Sequence, residues 1–277
     1  MTIPLQHGIV DCHCHVVDPA RFPYEAGTRY RPTGQEVAPV ESLLRIMDGH
    51  GVRHAVIVGT NSGYGEDCSP VLDAIARGNG RFKGIAVVAI DIPGAELAHL
   101  KAQGVVGVAF NTPFHGAAAY AGAGDLLRRL CDLDMLLQVQ VKDDDLLELL
   151  PLVEHSGVRL IVDHCGRPAP GRGLSQPGFR ALLDLGRAGR ASVKLSGLSQ
   201  FSNERHPYGD THDYIHALLD AFTPGRCVWG SDWPFLRATE RIDYGPLVSL
   251  AETLLPDAAT RDAVFWHTPC RLFGFGP

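Results

Sequence analysis

Four residues in this sequence combine acid–base side chains with a spacing that suits chemistry on a carbonyl group. His13 and His15 lie two positions apart at the end of a β-rich run, so both imidazoles are expected on one face of a strand. His164 ends a second such run, and Asp232 ends a third. Imidazoles can polarise a carbonyl oxygen, and a carboxylate can deprotonate the water that attacks it. These residues therefore predict a hydrolytic site, provided that the fold brings them together.

The elements that would position these residues follow a regular alternation of strand and helix. Eight β-rich runs recur along the chain: Val10–His15, Ala55–Asn61, Gly84–Ile90, Val105–Asn111, Leu136–Val141, Leu160–Cys165, Ser192–Gly197 and Val228–Trp233. Helical spacing of apolar residues separates many of them, as in Leu126, Leu127 and Leu130. This pattern predicts a single-domain (β/α)8 TIM barrel over residues 1–277, with Asp257–Phe273 as one more helix on the outside. A doubly wound open sheet is the alternative, but no glycine-rich phosphate loop follows the first run.

The carboxyl ends of barrel strands surround one mouth, and more polar residues lie at these ends. We predict that the substrate is bound by Tyr30, Ser62, Tyr64, Asn111, Gln138, Gln140, Arg167 and Lys194. The long loop Val16–Pro39, which contains Tyr30, is expected to reach over this mouth. Asp232 stands between tryptophans, so we expect burial to raise its pKa. Cys12 and Cys14 are expected to point away from the histidines, toward the helices, as packing residues.

Composition narrows the classes of partner. The net charge of −6 gives no reason to expect nucleic acid or an anionic membrane as a partner, so a small molecule is predicted. No apolar run reaches the roughly 18 residues that span a bilayer, and Met1–Val10 lacks the pattern of a secretory signal. Seven scattered cysteines are expected to be reduced thiols of a cytoplasmic protein. The sequence leaves a homo-oligomer open.

Three motifs together resemble those of the amidohydrolase superfamily. They are His13-Cys-His15, Val162-Asp-His164-Cys-Gly-Arg-Pro and Trp229-Gly-Ser-Asp232-Trp-Pro. Within the superfamily, the chain resembles the amidohydrolase-2 branch that holds 2-pyrone-4,6-dicarboxylate lactonase and sugar lactonases, and the resemblance spans essentially the whole chain. It implies a barrel hydrolase that opens a lactone. By this resemblance the three histidines would face the substrate carbonyl or a metal, and Asp232 would take a proton from the attacking water.

The resemblance leaves the metal content open. Many members of the superfamily bind one or two divalent metals, using a histidine on strand 5 and a lysine or glutamate on strand 4. This chain has Gln138 and Gln140 on strand 5 and no charged residue in Val105–Asn111, which argues against a two-metal site. We favour a site without a metal cofactor. The alternative is one Zn²⁺ or Mn²⁺ ion, held by His13, His15, His164 and Asp232.

Other functions remain as alternatives. Related barrels also include metal-dependent hydrolases and non-oxidative decarboxylases. A catalytically silent ligand-binding barrel is a third reading, but the presence of all four acid–base residues argues against it.

One departure from the family pattern concerns the charge of the substrate. Members that act on dicarboxylated lactones commonly carry arginine where this chain has Ala109. An arginine–carboxylate pair is a strong, directional contact that alanine cannot replace. The candidates to offset this loss are His115, Arg29, Arg31, Arg167 and Lys194. We therefore expect a less anionic lactone, or a related cyclic ester or amide.

Overall fold

A computed structural model describes residues 7–255 and 257–276, and its strands form one barrel. Within these residues, eight parallel strands follow each other in the order β1 to β8. They are β1 (Ile9–Cys14), β2 (Val52–Val58), β3 (Phe82–Ala86), β4 (Val105–Asn111), β5 (Leu136–Gln140), β6 (Arg159–Val162), β7 (Ala191–Leu195) and β8 (Cys227–Trp229). The predicted (β/α)8 barrel is confirmed. Several predicted runs extend past the carboxyl ends of these strands, because there the chain leaves the sheet to form the mouth.

Helices separate the strands, and the longer ones bury apolar residues against the barrel. They are α1 (Val40–Gly49), α2 (Ser69–Arg77), α3 (Gly94–Ala102), α4 (Thr112–His115), α5 (Gly124–Asp132), α6 (Asp145–Glu154), α7 (Pro177–Arg187), α8 (His212–Phe222), α9 (Tyr244–Leu254), α10 (Ala258–Asp262) and α11 (Thr268–Phe273). In α5 the predicted stripe of Leu126, Leu127 and Leu130 is fully buried. None of the helices in the described part of the chain has the length and apolar character needed to cross a membrane.

The C-terminal helical segment covers the end of the barrel at which the strands begin. A π-helical turn, Ala263–His267, joins α10 to α11. Trp266 of this turn and Phe273 of α11 pack in one apolar cluster with Val10 of β1 and Val228 of β8. The sequence predicted one helix on the outside of the barrel. The segment instead lies across the amino ends of the strands, because its aromatic residues fill the interior there.

The first strand departs from strict alternation, and this corrects the prediction for one cysteine. The pairing of β1 with β2 shifts register between Asp11 and Cys14. Cys12 consequently joins the interior cluster of strand residues, whereas Cys14 packs in the outer cluster with the helices. Both thiols are fully buried, and burial raises the pKa of each well above its ordinary value. Both cysteines are therefore packing residues, but Cys12 points inward.

The barrel closes between β1 and the segment that follows β8. The Asp232 amide donates to the His13 carbonyl at 2.8 Å, and the His15 amide donates to the Trp233 carbonyl at 2.8 Å. A Cβ atom on Gly230 would lie 2.8 Å from the His13 amide nitrogen, so only glycine permits this approach. We call this junction the seam. Backbone hydrogen bonds of the seam thus place His13, His15 and Asp232 next to one another.

Asp11 stabilises the seam from behind. Its fully buried carboxylate accepts hydrogen bonds from the Ser231 amide at 2.9 Å, the Ser231 hydroxyl at 2.6 Å and the Tyr244 hydroxyl at 2.9 Å. The His13 amide donates to it at 3.1 Å. One side chain thus joins β1, the end of β8 and α9. Because these donors are buried, each needs this acceptor.

We expect Asp11→Ala to destabilise the protein by roughly 3 kcal/mol, because it leaves several buried donors without an acceptor. Urea unfolding followed by circular dichroism measures the change. The matched control is Asp184→Ala on α7, where the carboxylate is exposed and a change of no more than about 0.5 kcal/mol is expected. Equal stability of the two variants would contradict this account of the seam.

Candidate active site

Three imidazoles surround one carboxylate oxygen at the floor of the barrel mouth. The Nε2 atoms of His13, His15 and His164 lie 3.7, 3.6 and 3.8 Å from Oδ1 of Asp232. All four side chains are buried. These distances are too long for direct hydrogen bonds, yet they allow one small group between the four atoms. The structure therefore brings the four residues together, as predicted.

Local backbone conformation aims two of these side chains into the mouth. Asp232 has φ +64° and His164 has φ +50°, in the left-handed region that few non-glycine residues adopt. A Cβ atom on Gly197 would lie 2.4 Å from Nδ1 of His164, so the turn after β7 must be glycine at this position. The site thus depends on turns that follow the strands as well as on the strands themselves.

The second nitrogen of each imidazole has its own partner. Nδ1 of His15 lies 2.8 Å from the Val58 carbonyl, which can only accept, so this nitrogen carries the proton. Nδ1 of His164 lies 3.0 Å from the Ser196 hydroxyl. Nδ1 of His13 lies 3.1 Å from Nζ of Lys194. These contacts fix the orientation of all three rings.

Burial and mutual attraction set the charges of the cluster. Burial raises the pKa of Asp232, but the attraction of His164, His15 and His13 outweighs it, so the pKa lies below its ordinary value. Burial and the positive charge of Lys194 lower the pKa of His13 to about 3, and burial lowers that of His164. The raised pKa predicted for Asp232 is therefore wrong, because the sequence did not reveal how many imidazoles face it. Near neutral pH the site therefore holds the Asp232 carboxylate beside the neutral imidazoles of His13 and His164.

Two residues that the sequence did not single out support the cluster. Gln200 donates from Nε2 to Oδ2 of Asp232 at 2.9 Å and so fixes the carboxylate plane. Asp163 is buried beneath His13, with Oδ1 3.1 Å from Nζ of Lys194. Burial raises the pKa of Asp163, but the positive charge of Lys194 and the contact with His13 outweigh it, so the pKa lies below its ordinary value. Adjacency to His164 was the only signal for Asp163, and no pattern marks Gln200.

A cavity of about 430 Å³ opens above the cluster. Its volume suits a small organic ligand. Of the residues predicted to bind substrate, the ones that line it are Ser62, Asn111, Gln138, Gln140 and Arg167. Lining residues that sequence reasoning missed include Lys142, Gln200 and Arg237, which lie in loops without a recognisable motif. The Nε atom of Arg167 is buried and has no hydrogen-bond partner.

Three predicted substrate residues lie outside the lining of this cavity. The Tyr64 hydroxyl accepts from the Asp18 amide, and the Tyr30 hydroxyl donates to Glu36. Both tyrosines therefore hold the loop Val16–Pro39, which runs along the mouth as predicted and meets the loops after β2, β4 and β8. Lys194 is fully buried below His13.

The residues proposed to offset Ala109 are placed differently from one another. Ala109 and Arg167 both line the cavity. Nε2 of His115 is hydrogen-bonded to Nδ2 of Asn61 at 3.0 Å, and the guanidinium of Arg29 lies over the ring of Phe114. Arg31 donates to the Ala26 carbonyl and is exposed. Arg167 is thus the one member of this group that reaches the cavity directly.

The cluster has a donor set that suits a divalent cation. Ligand atoms of His13, His15 and Asp232 lie within 4.8 Å of one another, as do those of His13, Asp163 and His164. His15 also has the tautomer of a ligand, since Nδ1–H donates to a carbonyl and Nε2 presents a lone pair. Imidazole and carboxylate donors are typical of single Zn²⁺ sites. The residues therefore fit one such ion.

Comparison with known proteins identifies the family. A 4-sulfomuconolactone hydrolase from Rhizobium radiobacter is 34% identical over 284 residues, which cover 99% of this chain and 92% of that protein. A 2-pyrone-4,6-dicarboxylate hydrolase from Comamonas testosteroni is 27% identical and covers 97% of this chain and 91% of its own length.

Solved structures agree with this result. The crystal structure of a probable 2-pyrone-4,6-dicarboxylic acid hydrolase from Acinetobacter baumannii, with citric acid bound, has a TM-score of 0.88 and 27% identity. The match covers 97% of this chain and all of that one. The model of the amidohydrolase family matches residues 10–275. This chain therefore belongs to the amidohydrolase family.

Proposed function

We propose that this protein hydrolyses a small lactone. The observation that carries the proposal is the convergence of three imidazoles on the Asp232 carboxylate at the floor of a cavity of about 430 Å³. Relatives that cover nearly the whole chain are named as lactone hydrolases, which supports the same reaction class. A cyclic ester of one ring fits a cavity of this size.

The proposed reaction uses Asp232 as the base. A water held beside Oδ1 attacks the ring carbonyl carbon and gives a proton to Asp232. The attack converts the carbonyl group of the substrate into a tetrahedral oxyanion. Collapse of the oxyanion breaks the ring C–O bond, and the proton on Asp232 passes to the leaving oxygen. The product is a hydroxy acid, or a keto acid when the leaving oxygen belongs to an enol. The low pKa of Asp232 keeps the carboxylate ionised and ready to accept.

The imidazoles differ in what they can offer this reaction. Because Nδ1 of His15 carries the proton, its Nε2 is an acceptor and can orient the attacking water. His13 and His164 face the same oxygen from other directions and are the proposed oxyanion donors. Pre-placed donors of this kind contribute roughly 3 to 4 kcal/mol each to stabilisation of a transition state.

The cavity walls indicate where a charged substituent would bind. Lys142, Arg167 and Arg237 line the cavity, and Arg167 has a buried donor without a partner. Asn61 and Asn111 form a neutral wall, in which Nδ2 of Asn111 donates a hydrogen bond to Oδ1 of Asn61 at 3.0 Å. We propose that one acidic substituent of the substrate binds Arg167. Ala109 on β4 provides no positive charge for a second acidic substituent. A lactone with a single anionic group fits this arrangement.

A metal-dependent version of the same hydrolysis is the second candidate, because the cluster suits one divalent ion. His13, His15, His164 and Asp232 would hold it, with Asp163 behind His13. Such an ion supplies Lewis acidity and lowers the pKa of a bound water. The roles of Gln200 in fixing Asp232 and of Arg167 in binding substrate are the same in both versions.

The base assignment is tested by Asp232→Asn with a panel of sugar lactones, muconolactones and pyrones. We expect kcat/KM to fall at least about 100-fold, because the amide cannot accept the proton. Asparagine tolerates the left-handed backbone at this position, so the fold should persist. The control is Asp134→Asn, which has φ +46° and an exposed side chain. Full activity of Asp232→Asn on the best lactone refutes the assignment.

The anion subsite is tested by Arg167→Gln. We expect KM for a lactone with one carboxylate or sulfonate to rise about 10- to 100-fold, which corresponds to a charge-assisted hydrogen bond. KM for an uncharged lactone of equal size should change little. Arg180→Gln, an exposed position on α7, is the control. An equal loss for charged and uncharged lactones would remove Arg167 from this role.

Acid should destabilise the protein through the cluster. His13 takes up a proton near pH 6.5 when unfolded but only near pH 3 when folded, so its stabilising effect is lost as the pH falls through this window. The lowered pKa values of His164, Asp163 and Asp232 act in the same direction. We expect the free energy of unfolding to fall by about 1.4 kcal/mol per pH unit for each proton involved.

Thermal unfolding between pH 7 and pH 4 measures this slope. His13→Gln should make it shallower, whereas His216→Gln on the exposed face of α8 should leave it unchanged. A slope that is the same in all three proteins would show that His13 does not contribute.

A further inference from the structure

A lysine without solvent contact lies directly beneath the first histidine of the cluster. Lys194 of β7 is fully buried. Its Nζ lies 2.6 Å from Oε1 of Gln138, 3.1 Å from Nδ1 of His13 and 3.1 Å from Oδ1 of Asp163. Burial of a charged side chain is costly unless each donor finds a partner, so these contacts are the reason the lysine is tolerated there.

The direction of these contacts determines which nitrogen of His13 carries the proton. An ammonium group has only donors, so a nitrogen 3.1 Å away in hydrogen-bond geometry must accept. Nδ1 of His13 also lies 3.3 Å from Oδ1 of Asp163, but that oxygen makes no hydrogen bond of correct geometry. The Nδ1 lone pair therefore points to Lys194. In the neutral ring the proton is left on Nε2, which faces Asp232.

We propose that Lys194 is a positioning residue that holds His13 in the tautomer with the proton on Nε2. His13 then acts as a preset hydrogen-bond donor toward the oxyanion. In this tautomer, Nε2 can bind a divalent cation only after it gives up its proton, so the contact weakens metal binding at His13. The catalytic meaning of this tautomer rests on the proposed lactone hydrolysis, whereas the tautomer itself does not.

His13 of β1 and His15, which directly follows the strand, thereby differ in the nitrogen that carries the proton. His15 donates from Nδ1 to the Val58 carbonyl, which leaves Nε2 as an acceptor. His13 accepts at Nδ1 from Lys194, which leaves Nε2 as a donor. One ring can orient the water that attacks, and the other can bind the oxygen on which charge develops. Two identical side chains two positions apart thus offer opposite functions to one substrate.

Removal of the lysine should move the proton of the His13 ring from Nε2 to Nδ1. Without the ammonium group, Nδ1–H can turn to Asp163, whose Oδ1 already lies 3.3 Å away. This is the carboxylate–histidine arrangement that orients metal ligands. Nε2 would then present its lone pair beside His15 and Asp232. Lys194→Met is therefore expected to bind Zn²⁺ more tightly than the wild type, even though it removes a polar group.

Nitrogen NMR of protein with ¹⁵N-labelled histidine tests the tautomer directly. The protein is first freed of metal with a chelator, and the His13 signals are assigned by their loss in His13→Gln. We expect the wild type to carry the proton on Nε2 and Lys194→Met to carry it on Nδ1. The control is Lys83→Met on β3, which lies outside the cavity lining and should leave the His13 signals unchanged.

Zinc titration of the same metal-free samples gives a second readout. We expect the Kd for Zn²⁺ to fall about tenfold or more in Lys194→Met, and to be unchanged in Lys83→Met. With an active lactone, Lys194→Met should lower kcat and leave KM nearly unchanged, because Lys194 does not reach the cavity.

The outcomes separate this proposal from the proposed function. A wild-type His13 with its proton on Nδ1 overturns the role of Lys194, and this result does not depend on whether Lys194→Met folds. Equal Kd values for Zn²⁺ in the wild type and a folded Lys194→Met overturn the effect on metal binding. If the Nε2 proton is observed but no lactone is hydrolysed, the tautomer assignment stands and the proposed function fails.

Discussion

The closure of the first strand against the last is the constraint on which the rest of the site depends. Backbone hydrogen bonds from Asp232 to His13 and from His15 to Trp233 form the seam, and Gly230 permits the close approach. These bonds involve the very residues whose side chains meet above them. A shift of one position at the seam would therefore move the Asp232 carboxylate and two imidazoles together. Barrel closure and assembly of the site are one event in this molecule.

The charges below the cavity follow from this close assembly. The buried charged groups of the cluster are the carboxylates of Asp163 and Asp232 and the ammonium of Lys194. Asp163 is paired with Lys194, which leaves Asp232 as the charge that faces the substrate. Gln200 is its direct polar partner, and the imidazoles stand back at 3.6 to 3.8 Å. This arrangement keeps one carboxylate ionised in a place where an isolated one would tend to be protonated.

The sequence predicted the parts of the site that depend on strand order and failed where it depends on turns. Strand ends gave His13, His15, His164 and Asp232, because the carboxyl ends of barrel strands share one mouth. Cys12 was misplaced because a register shift in β1 breaks the alternation.

Contacts between distant segments were beyond single-sequence reasoning. Neither the lowered pKa of Asp232 nor the contact of Gln200 with it has a local signal, since both depend on groups far away in the chain. Tyr30 and Tyr64 lie near the mouth as their positions implied, but their hydroxyls bond to Glu36 and Asp18 rather than lining the cavity.

The seam also has a consequence for the order of events during synthesis. Asp11 and Ser231, which join its two sides, are separated by 220 positions in the chain. A growing polypeptide can form β1 to β7 and most of the helices before the segment after β8 leaves the ribosome. Until then it lacks the carboxylate and an ordered His13–His15 pair at once. The nascent barrel therefore carries no assembled cluster of carboxylate and imidazoles, and such long-range contacts are expected to form late in folding.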